Sequence, residues 1–121
     1  MAGEACEFRC DPENIDTIAY AHSGAVTKGD VLVVNDAVVI AKNDYSASVT
    51  GGYCIRCPRV QMPKKSSLAI NPGDRVYWDN VAGEVNKTST NRPIGWCDRT
   101  AAGSDTTVIV QFMNEVESSA Y

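Results

Sequence analysis

The sequence predicts a mainly β protein: a single-domain β-sandwich or small barrel of short antiparallel strands with an extended N-terminal arm. Three observations lead there. Short β-branched, apolar runs recur from about Val26 onward, Gly, Pro, Asn and Asp punctuate them, and only residues 62–70 leave room for a helical turn. The 121 residues fit one domain, because a chain of this size hides roughly two-thirds of its unfolded surface and fills one core. The expected organisation is an arm over residues 1–25 that orders on binding, a β domain over 26–114 and a C-terminal tail over 115–121.

Taken in order, residues 31–35 (Val-Leu-Val-Val-Asn) and 37–41 (Ala-Val-Val-Ile-Ala) read as two strands split at Asn35-Asp36, a pair suited to a tight hairpin. Such unbroken apolar runs belong to strands covered on both faces or to a barrel wall. Residues 48–57 form a second extended stretch, with Gly51-Gly52 marking a bulge or bend. Pro58 and Pro63 bracket a short edge-like strand over 59–62, since proline cannot donate to a central ladder. The turn Asn71-Pro72-Gly73-Asp74 precedes the alternating strand at 75–79. Residues 81–85 look like a hairpin return, 93–97 another strand, and 106–112 the last and clearest one.

A faint internal echo runs through this pattern. Lys28-Gly29-Asp30-Val31 and Pro72-Gly73-Asp74-Arg75-Val76 both open a strand, and Gly29 and Gly73 stand 44 positions apart. Two similar hairpin units packed together would produce it. By contrast, residues 1–25 show no strand alternation. Their scattered Phe8, Ile15, Ile18 and Tyr20 carry too little apolar surface to fold alone and enough to dock on something else.

Charge is unevenly placed. Glu4, Glu7, Asp11, Glu13 and Asp16 against Arg9 account for the whole net charge of −4. An acidic arm on a neutral body argues against wrapping nucleic acid, which requires a basic face. Lys64-Lys65 is the one basic doublet and reads as a solvated turn. No run approaches the ~20 apolar residues of a membrane helix, and the first residues lack the basic and apolar regions of a secretory signal, so no membrane partner and a cytoplasmic origin are expected.

The chemistry-bearing residues are sparse. Five cysteines, Cys6, Cys10, Cys54, Cys57 and Cys97, are an odd set that does not read as a disulfide framework in a reducing compartment. Cys6-x3-Cys10 and Cys54-x2-Cys57 together supply four thiolates compatible with tetrahedral zinc. They underlie the alternative reading of a small zinc-stabilised β-barrel that binds protein or nucleic acid. Against it, the two pairs lie far apart in sequence. As a redox pair, Cys54-x2-Cys57 lacks the following helix, and buried thiols packed as small apolar groups are the simpler reading. The lone His22 sits beside Ser23 and Gly24 in a turn, no phosphate-cradling glycine loop occurs, and the carboxylates are dispersed. No enzyme, no catalytic residues, no cofactor and no resident metal are therefore expected. Tyr77, Trp78 and Trp96 read as core and interface fillers.

Residues 71–79 (Asn-Pro-Gly-Asp-Arg-Val-Tyr-Trp-Asp), Gly83-Glu84-Val85, Pro93-Ile94-Gly95-Trp96 and 101–110 (Ala-Ala-Gly-Ser-Asp-Thr-Thr-Val-Ile-Val) resemble a family of small phage capsid cement, or decoration, proteins. These are sometimes mislabelled as predicted recombinases. The first half matches more loosely through 26–34, 39–41 and 60–64, so the likeness runs from about residue 15 to 112. The five cysteines and the acidic start depart from that family's pattern. The resemblance implies a virion structural protein bound to the outer face of a tailed-phage head, with the major capsid protein as partner. It further implies a homotrimer at three-fold or quasi-three-fold axes, located on the capsid surface after assembly in the host cytoplasm. Phe8, Ile15, Ile18 and Tyr20 are the expected capsid contacts.

Overall fold

The computed structural model describes residues 6–35 and 37–113. They form nine strands: β1 Glu7–Phe8, β2 Asp16–Ala21, β3 Val31–Val34, β4 Ala37–Ala41, β5 Thr50–Pro63, β6 Arg75–Asp79, β7 Glu84–Asn86, β8 Arg92–Cys97 and β9 Thr107–Met113. A single 3-10 turn, Pro12–Asn14, lies between β1 and β2. The protein is mainly β, as its alternation of apolar runs and turn residues predicts.

All named pairings are antiparallel, and β5 is their hub. Its first half pairs with β2 (Ile18 opposite Tyr53) and with β4 (Ile40 opposite Cys54). Its second half pairs with β1 (Phe8 opposite Val60) and with β9 (Met62 opposite Val108). The ladder continues from β9 through β8 and β6 to β7. It then returns on itself, because Val85 of β7 bridges Lys64 and the Lys65 amide donates to the Val85 carbonyl at 2.9 Å. The sheet is thus curled, and its second half closes into a small barrel.

Four sequence expectations change here. Residues 16–21 are a strand, although only Ile18 and Tyr20 turn partly inward from an otherwise exposed ribbon. The stretches at 48–57 and 59–62 are one strand, because the register shift between Cys57 and Val60 places Pro58 in a bulge where no ladder amide is required. Residues 62–70 hold no helix but a strand end, a turn and the Ile70 bridge. Lys64 is also not solvated. It is buried, and its ammonium donates to the carbonyls of Lys65 (2.8 Å) and Leu68 (2.6 Å), which meets the charge with fixed dipoles at the barrel seam.

The internal echo is a structural repeat. Val26 and Tyr45 exchange backbone hydrogen bonds, as do Ile70 and Ala101. Gly29 donates to Ala41 O and Ala41 donates to Asp30 O (2.9 and 2.8 Å). Gly73 and Cys97 repeat both bonds, with Asp74 in the place of Asp30 (3.0 and 2.9 Å). Each turn is locked by its aspartate, Thr27 N–H to Asp30 Oδ2 and Asn71 N–H to Asp74 Oδ2, and each glycine has positive φ, 93° and 87°. The first unit therefore runs β2, β3, β4 and the first half of β5. The second runs the remainder of β5, β6, β8 and β9, with β7 added.

Two apolar clusters fill the interior. The main one gathers Val38, Ile40, Val60, Met62, Ile70, Val76, Trp78, Val85, Ile94, Val110 and Phe112. A smaller one, with Val26, Val39, Ala41 and Tyr53, lies on the other face of β4, so β4 is covered on both sides. Tyr53 is fully buried among Tyr20 and Tyr45, with ring centroids 5.6 and 5.5 Å away.

Candidate functional site

The repeat shows where the molecule is incomplete. Gly29 and Gly73 are 44 positions apart, whereas the equivalent Ala41 and Cys97 are 56 apart. The extra 12 residues lie between β6 and β8, and they include β7, which pairs along the outer edge of β6 (Tyr77 opposite Asn86, Trp78 opposite Val85). In the first unit a two-residue connection joins β3 to β4 directly, with Val34 opposite Ala37 and Asn35 at φ 54°. The expected tight hairpin is present; Asp36 lies outside the described residues. Among the described residues no strand occupies the outer edge of β3.

The register fixes which groups that edge offers. In a two-residue hairpin Val34 and Ala37 are the hydrogen-bonded pair, and Asp30 O likewise accepts from the β4 side. Residues 30, 32 and 34 thus spend their backbone groups on β4, and Val31 and Val33 turn theirs outward. Val31 and Val33 pack against the main cluster and Leu32 against the smaller one. The edge is apolar on both faces. Of the usual devices that discourage strand addition it has the short length of four residues but no charge or proline between 31 and 34.

The N-terminal segment borders this half of the molecule. Phe8 and Ile15 rest half-buried on the main cluster, and Ile18 and Tyr20 on the smaller one. All four proposed contact residues therefore dock first on the protein's own body. The acids around them, Glu7, Asp11, Glu13 and Asp16, stay exposed, and Asp16 forms a surface ion pair with Arg56 at 3.1 Å. Glu4 lies outside the described residues, as does the tail 115–121.

The structure separates the four paired cysteines into three and one. Cys10 Sγ lies 2.6 Å from Cys57 Sγ, and Cys54 hydrogen-bonds Cys57 from the same strand. Hydrogen bonds from Cys54 and Cys10, opposed by burial, leave the Cys57 thiol lowered to about 6. Burial raises Cys10 to about 11, and the Cys57 hydrogen bond with burial raises Cys54. Cys6 sits apart in the main cluster, where burial and then nearby Asp30 push it up to about 12. Among the described residues no group of three or more such side chains is placed to hold a metal ion.

The remaining candidates play local roles. His22 Nδ1 contacts the backbone of Gly24 within its own turn. Trp78 is buried with its indole N–H on Asn80 Oδ1 at 3.1 Å. Trp96 lies half-buried on the outer face beneath the Arg75 guanidinium, 4.3 Å from the ring centre. The tyrosine cluster around Tyr53 was missed in sequence, because its members come from three separate segments.

An open strand edge is a place where another chain can add a strand. Residues 10–112 match the family described as phage cement protein, and the chain belongs to that family. No curated protein and no solved structure matches the chain.

Proposed function

We propose that this protein decorates the outer surface of a tailed-phage head and stabilises the shell by bridging neighbouring copies of the major capsid protein. The observation that carries this reading is the open edge of β3, lying where the second unit of the same fold carries β7. A segment of the shell subunit adding there would complete the ladder with main-chain hydrogen bonds and gain specificity from the flanking side chains. The exposed acids of the N-terminal segment supply a second contact, directed at a basic patch on the shell. A ligand that binds the assembled shell but not its separated subunits stabilises assembly by mass action, and many copies multiply a modest gain per site. A homotrimer at three-fold or quasi-three-fold axes fits such bridging, as does assembly in the host cytoplasm before residence on the virion.

The direct test is co-sedimentation with intact heads, where a high and symmetric copy number is expected. Deletion through residue 22 would strip β2 from the smaller cluster, so neutralising Glu7, Asp11, Glu13 and Asp16 together is the cleaner probe of the segment. That variant should keep its fold and occupy heads at least tenfold less well. Absence of the protein from heads sinks the reading as a whole, whereas unchanged occupancy of the variant removes only the acidic contact.

A further inference from the structure

We propose that Cys10 and Cys57 are a conditional crosslinking pair, which an exogenous small disulfide converts into a bond fastening the N-terminal segment to β5. The two sulfurs are 2.6 Å apart, closer than non-bonded sulfurs normally approach, and 47 positions separate them in sequence. The Arg9 amide donates to Arg59 O at 2.9 Å, so the backbones next to both cysteines are already held side by side. Little rearrangement is needed to reach disulfide geometry.

Accessibility orders the steps. Cys10 is half-buried, whereas Cys54 and Cys57 are buried. At mildly alkaline pH the fraction of Cys10 present as thiolate, small because burial raises this thiol, attacks one sulfur of the small disulfide, forming a mixed disulfide and releasing the first small thiol. Cys57, as thiolate, then attacks Cys10 Sγ and expels the second small thiol. Two protein thiols are oxidised by two electrons and one small disulfide is reduced to two thiols, so the exchange balances. The buried Cys57 is suited to the second step because the hydrogen bond from Cys54, which the first step leaves in place, favours the thiolate. Reducing cytoplasm keeps the pair open, and oxidising surroundings such as those of a virion surface close it.

The experiment uses the full chain incubated with oxidised glutathione, then blocked with an alkylating reagent and mapped by mass spectrometry. The expected product joins the peptides holding residues 10 and 57 and leaves three of the five thiols free. It forms equally in Cys54→Ser and is absent from Cys10→Ser. Its thermal midpoint should rise by roughly 10 °C over the reduced chain, because a long loop of the unfolded chain is closed. A link between residues 54 and 57, a persistent glutathione adduct on Cys10, or five free thiols after incubation would each overturn the proposal. None of these outcomes depends on attachment to a shell.

Discussion

Gly95 shows how much one side chain can matter in this sheet. Its φ is +132°, and a Cβ there would lie inside the Gln111 carbonyl of the neighbouring strand. Gly95→Ala therefore combines a strained backbone with a clash in the β8–β9 ladder, and should cost about 3 kcal/mol or more, read as a lower denaturant midpoint. Two carboxylates contribute to acid sensitivity. The Asn71 amide, and then Lys87, hold Asp74 below the usual carboxylate range, and Gln111, then Arg99 and Arg59, do the same for Asp98. A folded-state value below the unfolded one gives stability that is present above the ordinary carboxylate range near 4 and is lost as pH falls through the depressed values. Urea midpoints measured from pH 6 to pH 2.5 should fall on the acid side, and Asp98→Asn should fall less steeply than the native chain.

At the scale of elements, the open edge of β3 makes a sharp prediction. Val33 turns its amide outward, so Val33→Pro removes a donor that no described strand uses while keeping an edge-compatible backbone. Circular dichroism should stay β-rich, and occupancy of heads should drop at least tenfold; undiminished occupancy would place the docking edge elsewhere. Much of this layout was legible beforehand. The β3–β4 hairpin, the strand at 75–79 and the final strand all announce themselves through unbroken or alternating apolar residues bounded by turn chemistry. β2 did not, because an outer ribbon needs only Ile18 and Tyr20 on its inner face and reads as polar coil. The continuity of β5 was hidden by Pro58, whose missing amide is harmless only within a bulge that the partner strands create. The grouping of Cys10 with Cys54 and Cys57 was anticipated only as part of a four-thiolate set; that Cys6 stands apart was hidden, since it depends on where β1 runs along β5.

For the molecule as a whole, the repeat is the organising fact. Two turn–strand–strand–turn–strand units share β5, and 12 residues add β7 to one of them, while among the described residues no strand occupies the corresponding edge of the other. The faint Gly-Asp echo at 29–30 and 73–74 was the main sequence trace, because beyond that pair the equivalent positions share turn geometry and backbone bonding more than side chains. The match to the phage cement family spans both units, residues 10–112.

The exposed amides and carbonyls of Val31 and Val33 also bear on timing. While free they are hydrated, so the edge stores no strain and requires no trigger. On the proposed function, that edge would engage whenever an extended segment of the right register came within reach, so the moment of attachment would be set by when the particle uncovers such a segment.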